Sequence, residues 1–158
     1  LSLVGSEMCI RDRKKVKLLE LLVNVEDPVR KMDLLITAKN FVCPSLFMAR
    51  KLRENGNKTW VYQFNRVRDG ELAEKFGAFH GAELPYVFNT HDDWLPTNEV
   101  DKDLTLAIQS YWLSFAKTGN PNDKVSPVWP VYQAINDPTL VLDAKIFSKQ
   151  HELSLIHI

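Results

Sequence analysis

The chain has 158 residues, of which 45% are hydrophobic and 25% are charged, and this length is enough for one small globular domain. It carries 20 basic and 20 acidic residues, so its formal net charge at pH 7 is zero. A chain without net charge gives no electrostatic reason to expect nucleic acid or an anionic membrane surface as a partner.

Both ends of the chain differ in character from its body. Residues 1–13 and 153–158 resemble translated sequencing-adapter sequence, and the alternative is a genuine start and a genuine tail. Because such segments take no part in a fold, we expect the protein itself to occupy residues 14–152 and its true N-terminus to lie upstream. The apolar start is too short for a membrane span, and no small-residue cleavage site follows it. The compartment is therefore open, either cytoplasmic or secreted.

The first part of the body predicts helices. Residues 16–25 show a helical apolar pattern. Asp27 can cap a second helix, in which Pro28 would take the first position. Cys43–Glu54 predicts a third helix, which Pro44 would open and an Asn-Gly pair would close.

A strand is predicted before the glycine-containing segment at residues 76–88, and a polar loop is predicted after it. Residues 58–65 are rich in β-branched and aromatic side chains, which predicts a strand. Residues 89–98 are polar and predict a surface loop.

The most informative segment lies between them, at residues 76–88, with the sequence F-G-A-F-H-G-A-E-L-P-Y-V-F. Gly77 and Gly81 permit backbone angles that other residues resist, so the loop can present His80 in a fixed direction. Histidine exchanges a proton near neutral pH, which makes His80 a candidate general base. The alternative is a hydrogen-bonded loop or core histidine without a chemical role.

The last part of the body predicts a long amphipathic helix and a short strand. Thr97 or Asn98 would cap the helix, which would run to Lys117 and end at Gly119. Residues 139–143 predict the strand. One face of the helix is apolar and we expect it to be core: Leu104, Ala107, Ile108, Tyr111, Trp112, Phe115 and Ala116.

Other side chains suggest packing or solvation rather than chemistry. We expect Tyr86 and Phe88 to be packing residues. His91, Asp92 and Asp93 could suggest a metal site, but no further ligand is evident and we interpret them as solvated. The sequence thus indicates neither a metal nor a cofactor.

Several segments of the body resemble one enzyme family. The segment around His80 is similar to the part of type B carboxylesterases that carries the catalytic histidine, in the family of bacterial para-nitrobenzyl esterases, animal carboxylesterases and cholinesterases. Four further segments resemble the family in its own order: F-V-C-P at 41–44, W-V-Y-Q-F at 60–64, Y-W-L-S-F-A-K-T-G-N-P-N at 111–122 and W-P-V-Y at 129–132. The resemblance implies the α/β class, as an incomplete C-terminal portion of an α/β-hydrolase fold with its late strands and flanking helices.

The resemblance also implies a chemistry and a role for His80. Such enzymes use a serine, a carboxylate and a histidine, and the match places the catalytic histidine at His80. Glu83 lies three residues past His80, and we interpret it as a supporting group that pairs with a backbone donor or an upstream base near a helix start. No serine in the sequence has a G-x-S-x-G setting, so the nucleophile and acid would lie upstream and this chain alone would be inactive.

Some questions stay open at this level. Because Cys9 lies in the adapter-like start, the body offers Cys43 no second cysteine for a disulfide. We therefore expect Cys43 to be a small buried side chain. Similar eukaryotic enzymes often form a disulfide with a cysteine in this Cys-Pro context. The substrate would be a small carboxylic ester of unknown type, and the oligomeric state is unknown. The alternatives to an esterase are an inactive esterase-like adhesion protein and a fragment without function. An intact serine elbow upstream would favour the esterase, and a replaced serine would favour the adhesion protein.

Overall fold

The computed structural model describes residues 25–150. The helix predicted at residues 16–25 and both terminal segments lie outside the described residues, except for Val25. The described residues form two compact units. One contains residues 25–61 and Tyr132–Asp137, and the other contains Tyr62–Val131 and Pro138–Gln150.

The first unit begins with helix α1, Pro28–Thr37. The Asp27 carboxylate accepts a hydrogen bond from the backbone N–H of Val29 at 2.9 Å, and Pro28 occupies the first turn, so the predicted cap is confirmed. A π-helical segment, Ala38–Val42, connects α1 directly to helix α2, Cys43–Glu54.

The bounds predicted for α2 are confirmed and Pro44 lies in its first turn, but the chain is already helical before it. Val42 is already helical, and the backbone N–H of Cys43 bonds to the carbonyl of Ala38, five residues earlier. Proline has no N–H to donate and its ring crowds the preceding turn. The wider π-helical turn changes the hydrogen-bond register just before Pro44, which lets the chain stay helical through the proline.

The continuous helical run Pro28–Glu54 spans 27 residues with a mean hydropathy of 1.2 in its most apolar window. By length and composition alone, this run could cross a membrane. Signal sequences and core helices of soluble proteins meet the same test, so the run is weak evidence for a span.

The core of the first unit forms on one face of α2. Leu46 and Ala49 pack with Tyr132, which is fully buried. The Tyr132 hydroxyl donates to Asp137 at 2.6 Å, and its backbone N–H donates to the carbonyl of Thr59 at 2.7 Å. These contacts attach the Tyr132–Asp137 segment to the unit. Cys43 is also buried, as predicted.

The second unit contains a three-stranded sheet in the order β1-β2-β3: Tyr62–Phe64, Thr139–Leu142 and Phe147–Lys149. β1 is parallel to β2, and β3 is antiparallel to β2. The strand predicted at 58–65 is shorter than expected, and only Tyr62–Phe64 pair with β2. The strand predicted at 139–143 is confirmed, whereas β3 was not predicted.

Three helices complete the second unit: α3, Glu71–Phe76, α4, Leu84–Phe88, and α5, Glu99–Thr118. The sequence did not predict α3. The long helix is confirmed. Asn98 caps α5 through a reciprocal pair with Asp101, and Gly119 ends it with a φ of +71°.

The apolar face of α5 is buried over only part of its length. Leu104, Ile108 and Tyr111 are buried, and Trp112 is partly buried against the ring of Tyr62, with centroids 5.3 Å apart. The prediction that Phe115 is core is wrong, since half of it is exposed.

Candidate active site

His80 lies in a tight turn formed by residues 79–82, here called the His80 turn. The backbone N–H of Ala82 donates to the carbonyl of Phe79 at 3.0 Å, and Gly81, the third residue, has a φ of +89°. A positive φ at the third residue is typical of a type II turn, which favours glycine there. The turn places His80 at its second position, and the side chain is exposed.

Short helices flank the His80 turn on both sides. Gly77 ends α3 with a φ of +61°, and its N–H donates to the carbonyl of Ala73 at 2.7 Å. On the other side, the N–H of Leu84 donates to the carbonyl of Gly81 at 3.1 Å, where α4 begins. The sequence predicted a strand at residues 58–65 ahead of this segment, and α3, which was not predicted, lies between β1 and the turn.

Glu83 lies at the N-terminal boundary of α4, at the helix start where the sequence placed it. Its carbonyl accepts hydrogen bonds from the N–H groups of Tyr86 and Val87 at 3.0 and 3.1 Å, while its side chain makes no capping hydrogen bond. Burial and, secondarily, the charge of Glu83 raise the pKa of Tyr62. The supporting role of Glu83 stays a prediction.

Three aromatic side chains contact one another in and beside the His80 turn: Phe76, Phe79 and Trp94. Phe79, within the turn, has its ring centroid 6.3 Å from that of Phe76 and 6.0 Å from that of Trp94. Phe76 and Trp94 are about half exposed, and the Trp94 indole donates to Asp92 at 3.3 Å. An apolar, partly accessible surface thus adjoins the residue that precedes His80.

Tyr86 is the buried residue of α4, and its predicted packing role is confirmed. It is 1% exposed, and its ring packs against Phe64 with centroids 5.1 Å apart. The prediction is wrong for Phe88, which is 67% exposed. Two residues correspond to a rotation of about 200° around a helix, so Phe88 faces away from the side that Tyr86 buries.

A buried carboxylate, Asp101, joins α4, α5 and the segment after β1. It has no exposed surface. Its Oδ1 accepts from Arg66 Nε at 2.8 Å and from the Tyr86 hydroxyl at 2.7 Å, and its Oδ2 accepts from Arg66 Nη2 at 3.3 Å and from Asn98 N at 3.0 Å. We call these four residues the Asp101 network.

The electrostatics of the network favour the charged forms of Asp101 and Arg66. Burial by itself would raise the pKa of Asp101, but the hydrogen bonds from Arg66, Asn98 and Tyr86 outweigh it, and the pKa lies below its ordinary value. The same carboxylate raises the pKa of Arg66, and burial raises that of Tyr86. Asp101 is therefore ionised and Tyr86 is neutral at physiological pH.

His91 is partly buried, so its interpretation as a solvated residue was wrong, whereas Asp92 and Asp93 are exposed as expected. Its Nε2 lies 2.8 Å from the Thr105 hydroxyl, which itself donates to the carbonyl of Asp101 at 2.7 Å. The hydroxyl thus accepts from His91, which fixes the Nε2–H tautomer. The His91 Nδ1 is buried without a hydrogen-bond partner among the described residues. None of the described residues form a cluster of three or more ligands suited to a metal.

Sequence reasoning missed the Asp101 network. The spacing of Asn98 and Asp101 fits a capping box, and this signal was visible in the sequence. Nothing local indicated that the capping carboxylate would be buried, because its partner Arg66 lies 35 residues away in the chain.

Comparison with known proteins identifies the class of the fold. One solved PNB esterase aligns with a TM-score of 0.68 and 30% identity, over 76% of this chain and 25% of that one. A solved thermophilic PNB esterase aligns with a TM-score of 0.69 and 26% identity, over 89% and 29%. These neighbours are esterases with the α/β-hydrolase fold, so the predicted fold class is confirmed.

A family model described as "Carboxylesterase family" matches residues 18–155. The chain belongs to the carboxylesterase family, as its motifs predicted. Among curated relatives, Carboxylesterase 1C of Mus musculus is 30% identical over 118 residues, which are 70% of this chain and 21% of the relative. Acetylcholinesterase of Bungarus fasciatus is 29% identical over 126 residues, which are 77% and 21%. The chain thus spans about a fifth of the length of these relatives.

Proposed function

We propose that this chain is the catalytic-histidine region of a serine carboxylesterase, in which His80 is the general base. The observation that carries the proposal is the exposed histidine of the His80 turn, whose position depends on a glycine with a positive φ, in a member of the carboxylesterase family. A rigid turn with a histidine at its surface suits a group that must meet a serine and a substrate from elsewhere in the protein.

The proposed reaction is the hydrolysis of a small carboxylic ester. His80 would take the proton of the attacking serine and later donate it to the departing alcohol, while a carboxylate holds the imidazole in the correct tautomer. No serine of the 158 residues stands in a G-x-S-x-G context. The nucleophile and the acid would therefore come from the part of the full-length protein that this chain does not contain, and the chain alone would be inactive.

The test is a His80→Ala substitution in the full-length protein, which is obtained by extending the coding sequence upstream in the gene. Loss of the general base should lower kcat for a simple aryl ester by at least about a thousandfold. The measurement is steady-state hydrolysis, with circular dichroism to establish that the variant folds.

His91→Gln is the matched control, because the glutamine amide can replace the imidazole Nε2–H that binds Thr105. We expect this variant to keep kcat within about tenfold of the parent. A His80→Ala enzyme within about threefold of the parent, a difference of roughly 0.6 kcal/mol in activation free energy, would remove His80 from the mechanism.

A further inference from the structure

We infer that the Asp101 network positions His80, through the hydroxyl of Tyr86, and that Asp101 and Tyr86 are positioning residues of the esterase reaction. The inference rests on the proposed role of His80 and adds to it a mechanical connection. Neither residue is assigned to contact the substrate.

The first step is that the carboxylate fixes three segments at one point. Arg66 lies two residues after the end of β1, Tyr86 is in α4, and Asn98 precedes α5. Both carboxylate oxygens accept two hydrogen bonds each, so Asp101 has no remaining rotational freedom. α4 is thereby attached to the sheet and to the long helix.

The second step is that the chain between Tyr86 and His80 is stiff. The two residues are six positions apart. Consecutive backbone hydrogen bonds cover that distance, from Ala82 to Phe79, from Leu84 to Gly81 and from Tyr86 to Glu83, at 3.0 to 3.1 Å. Because each bond overlaps the next, a displacement of Tyr86 moves the His80 turn with it.

The third step is that Tyr86 has one defined orientation. Its ring packs against Phe64 and lies edge-on to the His91 ring, with centroids 4.9 Å apart, and its hydroxyl reaches Asp101 Oδ1 at 2.7 Å. Removing the hydroxyl leaves the ring contacts in place but releases α4 from the carboxylate.

A general base acts only from a narrow range of positions, and a misplacement of about 1 Å can cost about a hundredfold in rate. Loosening the connection should therefore lower kcat, because the proton transfer is affected. It should leave KM nearly unchanged, because the contacts that bind the substrate are not altered. A purely structural tyrosine would affect neither constant per folded molecule.

The experiment compares Tyr86→Phe with Tyr111→Phe in the full-length enzyme. Tyr111 is equally buried, and its hydroxyl donates to the carbonyl of Pro127 at 2.6 Å, so each substitution removes one buried hydroxyl from the second unit. The active sites are titrated with an organophosphate that labels the nucleophile, so that kcat refers to assembled sites only.

Tyr86→Phe should lower kcat per titrated site about tenfold with KM within about twofold, and should shift the acidic limb of the kcat/KM pH profile. Tyr111→Phe should keep both constants within about twofold of the parent. Equal kcat values for the two variants would overturn the inference.

Asp101→Asn separates positioning from stability. The asparagine keeps an oxygen that can accept from the Tyr86 hydroxyl, but it removes the charge that pairs with Arg66. We expect Asp101→Asn to unfold more easily than Tyr86→Phe and yet to lose less kcat per titrated site. The reverse order of kcat would contradict the proposed connection. A fully active His80→Ala variant would contradict the function proposed for His80 and the inference that rests on it. An inactive His80→Ala variant, together with equal kcat values for the two tyrosine variants, would contradict the inference alone.

Discussion

The His80 turn and the Asp101 network are joined by a few residues of chain, yet different interactions determine their conformations. The turn is exposed, and backbone hydrogen bonds and a glycine with a φ of +89° define it. The network is buried, and side-chain hydrogen bonds to one carboxylate define it. The direction of the histidine thus depends on backbone conformation, whereas its location in the second unit depends on buried side chains.

This division predicts which substitutions affect stability and which affect turnover. Loss of the Asp101 carboxylate should mainly reduce stability, because it leaves the largely buried charge of Arg66 without its partner, whereas loss of the Tyr86 hydroxyl should mainly reduce turnover. A change in the turn should mainly reduce turnover, because few buried contacts depend on it.

The largest effect on stability should come from Asp101→Ala. The substitution leaves Arg66, which is 11% exposed, without its counter-charge and removes one of the two bonds of the α5 capping box, the one that the backbone N–H of Asn98 donates to the carboxylate. Removing one partner of a buried ion pair costs about 3–5 kcal/mol in free energy of unfolding. Urea denaturation of the full-length protein at neutral pH measures the loss.

The control for this substitution is Glu99→Ala, in the first turn of the same helix. Glu99 pairs with Lys102 at 2.7 Å, but both side chains are largely exposed, so the unfolding midpoint should hardly move. If Asp101→Ala and Glu99→Ala shifted the midpoint equally, the buried Arg66–Asp101 pair would not be a stabilising element.

A smaller effect on stability, combined with a clear effect on turnover, is expected for Gly81→Ala. A Cβ at Gly81 would meet only Leu84 Cδ1 at 3.6 Å, an ordinary contact, so the cost is backbone strain at a φ of +89°. That strain is about 1–2 kcal/mol, and relieving it would distort the turn and lower kcat about tenfold. Thermal unfolding and ester hydrolysis are measured on the same samples.

Gly56→Ala provides the comparison, since Gly56 has a similar φ of +80° and a Cβ added there would meet no atom of the described residues within 4 Å. It follows α2 in the first unit, so it should lose similar stability and keep its kcat. A loss of kcat in both variants would mean that general destabilisation, and not the His80 turn, is being observed.

The sequence predicted the elements whose signals are local. The cap at Asp27, the end of α2 and both ends of α5 depend on side chains within four residues of the helix end, so they could be placed closely. The His80 loop was likewise found from its own glycines and its family motif.

The features that were missed depend on residues distant in the chain. β1 is shorter than its composition suggested, because its pairing with β2 involves residues more than seventy positions away. The exposure of Phe115 depends on what surrounds α5, which periodicity does not reveal. The Arg66–Asp101 pair is also nonlocal, and it determines where the candidate site is held.

The smallest expected effect is a pH dependence of stability that originates at His91. Burial and, next, the charge of Arg68 lower the pKa of His91, against smaller opposing effects of Asp101 and Asp92. The imidazole is therefore more easily protonated in the unfolded chain, whose histidine pKa is about 6.5. Its contribution to stability is present above about pH 6.5 and is lost as the pH falls through the lower folded-state pKa. Asp101, whose pKa is lowered as well, loses its contribution only below about pH 4.

The window between about pH 5 and pH 7 should thus report on His91 with little contribution from the Asp101 carboxylate. We expect the thermal midpoint of the parent to fall between pH 7 and pH 5, and His91→Gln to reduce that fall, because glutamine keeps the hydrogen bond to Thr105 but does not titrate. The Gly56→Ala variant, which leaves the charges unchanged, should show the full parental pH dependence at a lower midpoint. If His91→Gln and the parent lost the same number of degrees between the two pH values, the histidine would not be the titrating group. The buried Nδ1 of His91 gives the physical reason to expect otherwise, since a proton added there has no acceptor among the described residues and is repelled by the charge of Arg68.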